Sequence, residues 1–407
     1  MKQLLLHIAH SSIITIARRE FGRLAKRRTL LLLITVLPIA ISFLLAFIYQ
    51  NEVVVDIPMA VCDLDRSELS RLIVRSMDAT RSMKVVMSLN SVDEIREQVR
   101  RGTVQGAVYI PSGLEQDIKK GNQGHLVVYK SSFNLIVGNS ILKDATTIIK
   151  TISAGVLINK FRSAGMMEQQ ALALANPIRL ESNNLFNPNY NYEAYFVPCL
   201  ITAMFQMLIL VTSVLLLSSE YHDGTAQDLW NRSKGNSFAI LIGKPLPHLA
   251  LHTATTLFII GIIFPMFGIP IHGSTLLVLS FMLLSNAAVF YLGFFVSTFV
   301  HNQLLATEIA VFISTPAVLF SGYTFPIDAM PAPHAFFAHL LPFTNFFSGF
   351  IKIYQFGTPL RHLGPELVVM GLLLVISFCG AWAVLRIQAS GTNHLTADLP
   401  EGGSYEA

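Results

Sequence analysis

Within this 407-residue chain, the segment Ser219-Glu-Tyr-His-Asp-Gly-Thr-Ala-Gln-Asp-Leu229 concentrates polar side chains at an informative spacing. Thr225 and Asp228 stand as a helix N-cap and its third residue, so a short helix is predicted to begin at Thr225. Gly224 just before it permits a sharp backbone turn. Glu308 lies inside an apolar run, roughly 10 Å beyond His301 at the rise of a helix. A carboxylate at that depth must face protein or water. This places Glu308 at a dimer seam or a substrate path, or else makes it a protonated or hydrogen-bonded packing residue. Asn286 and Ser285 read as polar glue between helices. His248 and His252 are one helical turn apart, as metal ligands can be, but no suitable third ligand adjoins them. Gly235 to Gly243-Lys244-Pro245 has the wrong spacing for a phosphate loop and lacks its Ser or Thr. No nucleophile–base or metal constellation is present, which argues against an enzyme. If ATP is used, another chain must hydrolyse it.

The elements that must hold these residues are membrane helices. Hydrophobic residues make up 52% of the chain and charged ones only 13%, against about 25% charged in a soluble domain. Apolar runs cover 30–49, 194–217, 246–267, 275–300, 304–322 and 367–385, each near the ~20 residues a helix needs to cross a bilayer. Rods without a polar face require lipid around them. Lys2, Arg18, Arg19, Arg23, Lys26, Arg27 and Arg28 precede the first run, which predicts a cytoplasmic N-terminus. Alternation then puts 51–193 outside, 218–245 inside, 323–366 outside and the tail inside. The long n-region and the absence of a small-x-small site after Phe47 mark the first run as a retained signal anchor. Cys62, Cys199 and Cys379 are scattered and read as inert packing residues.

Segment 11–28 reads as an amphipathic helix. Ile13, Ala17, Phe21 and Leu24 form its apolar stripe, and Arg18, Arg19, Glu20, Arg23, Lys26 and Arg27 cover the rest. Such a helix lies on membrane lipid, either as a plain anchor or as a contact surface for a cytoplasmic partner. The insert alternates short strands at 53–62, 84–89, 105–110 and 126–129 with helices at 68–77 and 92–101. Ser91-Val-Asp-Glu94 forms a capping box. A long helix over 139–175 is predicted to break near Gly165, and Phe186-Asn-Pro-Asn-Tyr-Asn191 is turn-rich. The Pro- and Phe-rich stretch 326–356 suits short re-entrant helices. Phe336, Phe337, Phe343, Phe346, Phe347 and Phe350 then line an outer gate or anchor at the interface.

The 219–229 segment resembles the E-x-x-x-G-T-x-x-x-L pattern of ABC-2-type export permeases, where it forms the coupling helix that docks on the ATPase subunit. The resemblance covers nearly the whole chain. It runs through Arg19-Glu-Phe21 with Pro38 in the following span, 57–70, 101–111, Phe186-Asn-Pro188, Tyr195-Phe-Val-Pro198, 319–331 and 340–344. Cys199 stands where the family usually has Gly. His222-Asp223 replaces the usual basic-acidic pair, which leaves open which ATPase the helix fits.

The resemblance implies ATPase-coupling roles for Glu220, Tyr221, Gly224, Thr225, Asp228, Leu229 and Trp230, and an interface helix carrying Arg18, Arg19, Glu20, Phe21 and Arg23. Glu308, Asn286, Phe343 and Phe346 are the candidates for a substrate path or dimer seam. It further implies a polytopic α-helical membrane protein with six transmembrane helices and an inserted mixed α/β extracytoplasmic domain. The expected parts are 1–28, the first span 29–49, the insert 50–193, spans two to six over 194–386, and a cytoplasmic tail 387–407. A coupling helix at 219–235 and an outer re-entrant segment at 323–362 fall among the later spans. The implied function is the permease subunit of an ATP-driven exporter of small amphipathic or lipid-like substrates in a bacterial inner membrane. This chain would bind no cofactor; ATP and magnesium would sit on a cytoplasmic ABC ATPase. A second copy or sister permease would complete the transporter, and a periplasmic adaptor enters by analogy. No nucleic-acid partner is implied. Two other readings make weaker use of the residues. An ion- or proton-coupled transporter predicts paired midplane ionisable groups, where only Glu308 is found. A ligand-sensing receptor predicts a cytoplasmic output domain, which the tail does not supply.

Overall fold

The computed structural model describes residues 2–50, 54–175, 185–186 and 192–397. The chain forms two units, 1–50 with 192–407, and 51–191. The expected strand start at Val53, the turn residues 187–191 and the end of the tail from 398 lie outside the described residues.

Among the described residues of the first unit, six helices are long and apolar enough to cross a membrane: Arg28–Tyr49, Glu193–His222, Ser237–Met266, Thr275–Phe299, Gln303–Phe320 and Gly364–Ser390. The third begins nine residues before its expected start at Leu246, since Lys244-Pro245 only looked like a boundary. Pro245 occupies a first-turn position of a helix that follows Ser237–Gly243 without a loop. Prolines bend these rods locally. The first span carries a π-turn at Leu32–Val36 just before Pro38. Pro38 has no N–H to return to Ile34, and the Thr255 hydroxyl of span three donates to that carbonyl at 3.0 Å.

Span four is the centre of the helical unit. Gly293 lets it approach span two so closely that a Cβ would collide with the Leu210 carbonyl and Ser213. Gly380 of span six is covered in the same way by the Phe295 ring. Spans one, five and six present exposed apolar side chains instead, including Phe47, Phe312 and Ile376. Span five breaks at Thr315-Pro316 between Gln303–Ser314 and Ala317–Phe320. Beyond it, the segment expected to be re-entrant forms two short helices, Ala332–Leu340 and Pro342–Tyr354. Phe343, Phe346, Phe347 and Phe350 are buried there in a stack completed by Phe281. The expected gate aromatics therefore face packing partners; Phe336 and Phe337 stay exposed. Tyr195 and Tyr323 stack at 4.5 Å and exchange hydrogen bonds, each hydroxyl donating to the other's carbonyl, at 3.2 and 2.6 Å.

The second unit is a layered α/β domain. Its strands are β1 (Ile57–Asp63), β2 (Met83–Ser88), β3 (Gly106–Ile110) and β4 (Val127–Lys130), in the order β2-β1-β3-β4. The first three are parallel and β4 is antiparallel to β3. Helices α1 (Glu68–Asp78), α2 (Val92–Arg100), α3 (Leu114–Lys120), α4 (Leu135–Ser163) and α5 (Glu168–Ala175) cover it. Strand alternation separates two cores. Ile57, Met59, Val108 and Ile110 pack with α1, α3 and α4 residues, whereas Ala60, Cys62 and Ala107 pack with Ile95 of α2. The α2 cap forms as expected, with Ser91 Oγ accepting from the Glu94 N–H at 3.2 Å. Gly165 breaks the long helix at φ +85°. In the Asp63-Leu-Asp-Arg-Ser-Glu68 turn, Asp63 accepts from two backbone N–H groups and the Ser70 hydroxyl. Asp65 accepts from the N–H groups of Gly113 and Glu115 at the start of α3. That motif builds the domain.

Candidate functional site

The polar residues of the sequence converge where the interface helix Lys2–Lys26 meets the C-terminal end of span two. Gly224, at φ +70°, ends span two in the left-handed conformation. The Thr225 N–H returns to the Glu220 carbonyl at 2.9 Å and the Gly224 N–H to that of Tyr221 at 3.2 Å. This is a Schellman-type stop, and the short helix Ala226–Ser233 leaves from it. The helix starts where expected, but by a different device. The Thr225 side chain makes no capping bond; its hydroxyl donates to the Glu220 carboxylate and accepts from Arg23 at 3.1 Å. Asp228 turns to Arg19 and Arg232, at 2.9 and 2.8 Å. Charged partners outcompete a neutral cap for both side chains.

Glu220 is the hub, and its side chain has no exposed surface. Arg19 grips it with two parallel hydrogen bonds of 2.7 and 3.0 Å, Arg23 forms an ion pair with it, and Lys244 Nζ donates to it at 2.8 Å. The same Lys244, fully buried, donates to Glu20 at 2.5 Å, and His248 Nε2 lies 3.2 Å from the other Glu20 oxygen. Arg23 and Arg27 also pair with Asp223. The knot thus ties three elements together: the interface helix, the span-two end with its following helix, and span three. Burial would push the Glu20 carboxyl up, but Lys244 and His248 outweigh it and hold it at about 2. The hydrogen bond from Arg232, aided by Arg19, lowers Asp228. Burial opposes the charge on Arg19, yet Glu220 and Asp228 raise it above the ordinary value.

Leu229 and Trp230 are buried and seat the short helix against the bundle, and Tyr221 stacks on His301 at 3.8 Å. The interface helix differs from its expected facing. Ser12, Ile16, Glu20 and Leu24 form the buried stripe, while Phe21 is 62% exposed and Arg18 is exposed too. A protein wall, with Gly243 packed against Ile13 and Ile16, replaces lipid on that side, so a charged residue can point inward. Lys244 and His248 were missed as members of the site. The available signal was a lone cation adjoining an apolar run, which is costly unless a carboxylate from elsewhere meets it. Outside the knot lies a cleft of about 680 Å³ lined by Arg18, Lys26, Arg27 and Arg232 with Asp223 and Asp228.

The remaining candidates lie apart from the knot. Asn286 is buried and donates to Thr256 at 2.9 Å, and His252 meets Thr212 at 3.1 Å. Glu308 is exposed on span five, in an apolar groove with Val311, Phe312 and Leu319. Phe343 and Phe346 sit in the aromatic stack. Among the described residues no three metal-ligating side chains come together.

A family model for the ABC-2 family transporter protein matches residues 28–383. The chain is 24% identical over 299 residues to the probable multidrug ABC transporter permease YbhR of Escherichia coli, covering 73% of this chain and 77% of that one. It is 21% identical over 343 residues to the probable multidrug ABC transporter permease YbhS of the same organism, covering 83% and 87%. Over 380 residues it is 24% identical to ABC transporter G family member 20 of Dictyostelium discoideum, covering 91% of this chain and half of that protein.

Proposed function

The chain belongs to the ABC-2 family of transporter proteins as a membrane permease subunit, and from that premise we propose that it exports small amphipathic or lipid-like substrates. A separate cytoplasmic ATPase, carrying ATP and magnesium, drives it. The observation that carries this reading is the buried ionic knot. A force applied to the short helix 226–233 reaches the interface helix through Arg19 and span three through Lys244, since both cations share Glu220. The basic cleft flanking Asp228 offers an exposed surface to a partner with acidic and apolar groups. Glu220, Tyr221, Gly224, Thr225, Asp228, Leu229 and Trp230 are its coupling residues, with Arg18, Arg19, Glu20, Phe21 and Arg23 on the interface helix.

In this reading the knot faces the cytoplasm of a bacterium, both termini lie on that side, and the insert 50–193 lies outside the inner membrane. The multidrug names of YbhR and YbhS agree with amphipathic cargo. Two copies, or one copy and a sister permease, meet along span five, with Glu308 at the seam.

Co-purification of the tagged chain with the ATPase encoded beside it tests the coupling. Gly224→Pro removes both the left-handed turn and the N–H bonded to Tyr221; a charge reversal at exposed Arg18 alters the cleft without touching the ion pairs of the knot. Stoichiometric ATPase with the native chain, lost in both variants, is the expected result. ATPase retained by both variants, or absent from the native chain, overturns the assignment.

A further inference from the structure

Helix α4 of the insert is longer than the surface it covers. Its 29 residues span about 44 Å. The apolar stripe begins with Val137, Ile141 and Ala145, which are buried against the sheet and α1. The stripe continues at helical spacing through Ile149, Ile152 and Val156, all only partly covered. There α4 stands away from α1 and α3, and a cleft of about 530 Å³ opens between them. That volume is in the range of small-molecule sites. Ile73, Leu114, Ile118 and Leu126 complete its aliphatic floor.

Polar groups gather at one end. Asn122 and Gln123 lie on the turn after α3, and Lys160 of α4 is the one charged side chain in the lining among the described residues, with Ser153 two turns further back along α4. Gly121 closes α3 at φ +88°, and the Lys160 ammonium lies 3.4 Å from the point where a Cβ on that glycine would sit. Lys160 makes no ion pair among the described residues. The cleft therefore has an aliphatic floor and a single cationic mouth, with amide groups beside the charge.

We propose that this cleft binds a single-chain amphiphile with an anionic head group. The alkyl chain covers the unburied stripe of α4, and the head pairs with Lys160 and accepts from Asn122 or Gln123. A neutral or cationic amphiphile satisfies the floor but leaves Lys160 without a counterion. The site concerns the insert alone and rests neither on ATPase coupling nor on the direction of transport.

The test uses the full chain in phosphatidylcholine nanodiscs with a diazirine-bearing dodecanoate, the matching dodecanol, and mapping of adducts by mass spectrometry. Carboxylate adducts are expected on α3 and α4, displaced by dissolved decanoate. Lys160→Met is expected to lower carboxylate labelling about tenfold, the scale of a lost charge-assisted hydrogen bond, and to leave dodecanol labelling unchanged. Ile152→Trp fills the cleft and is expected to abolish both, with thermal melting confirming that each variant folds. Adducts confined to the membrane spans overturn the proposal, as does equal loss of acid and alcohol labelling in Lys160→Met. Displacement by phosphatidylglycerol but not by decanoate also overturns it in favour of a membrane lipid. Loss of self-association on Ile152→Trp without any adduct overturns it in favour of a contact between copies.

Discussion

Glu220 and Lys244 illustrate how buried charge differs from buried oil. Each is fully buried, and each is tolerable only because the other, with Arg19 and Glu20, neutralises it at hydrogen-bond distance. Deleting one member leaves an uncompensated ion, which costs about 3–5 kcal/mol. Glu220→Gln is therefore expected to destabilise the chain by about 3 kcal/mol, read as a lowered unfolding midpoint in detergent. Adding Lys244→Met should deepen that loss, because the Glu20 carboxylate then loses the ammonium that it shares with Glu220. Glu20 gives a pH signature. Its carboxyl is held at about 2, against an ordinary 4.5, so the folded state binds its proton less readily than the unfolded one. The stability contributed by Glu20 is fully present above about pH 5 and fades as pH falls toward 2. A melting series across that window should be steeper for the native chain than for Glu20→Gln; identical slopes would refute the assignment.

At the scale of elements, glycine decides how close two spans come. Gly293→Val drives a branched side chain into Ser213 and the Leu210 carbonyl, so a loss of about 1–3 kcal/mol in thermal unfolding is expected from overpacking. The same substitution at Gly155, where a Cβ meets nothing within 4 Å, serves as the control. Much of this layer was legible in the sequence. Apolar runs located six helices because lipid leaves no other use for them, and Gly224-Thr225 marked the turn. That Thr225 gives up its expected capping role was not legible, since the competing carboxylate belongs to Glu220, tucked under the same turn by the fold. Nor was the inward facing of Glu20, for hydrophobic spacing reports an apolar stripe but not whether lipid or protein lies against it. Lys244 looked like a loop residue until Glu20, more than two hundred positions away in sequence, was brought to it.

For the molecule as a whole, the uncovered spans carry the information about assembly. Span five exposes Phe312 and Leu319 beside Glu308, a carboxylate that hydrocarbon disfavours. With the exposed Cys379 replaced, Phe312→Cys is expected to yield an oxidised dimer in native membranes, whereas a lipid-facing span would give monomer only. The paired Tyr195 and Tyr323 act on a different property, the cohesion of the end of span two that lies away from the knot. Two neutral hydrogen bonds, at a net ~1 kcal/mol each, favour the paired arrangement over the separated one by roughly thirty to one. Tyr323→Phe keeps the ring stack and removes one bond, so basal leakage of a fluorescent amphiphile should rise about fivefold. Span two is thus clasped at one end by charge and at the other by two phenols of unequal strength. Release of the weaker clasp comes first on that accounting, so the phenolic end yields before the ionic end does.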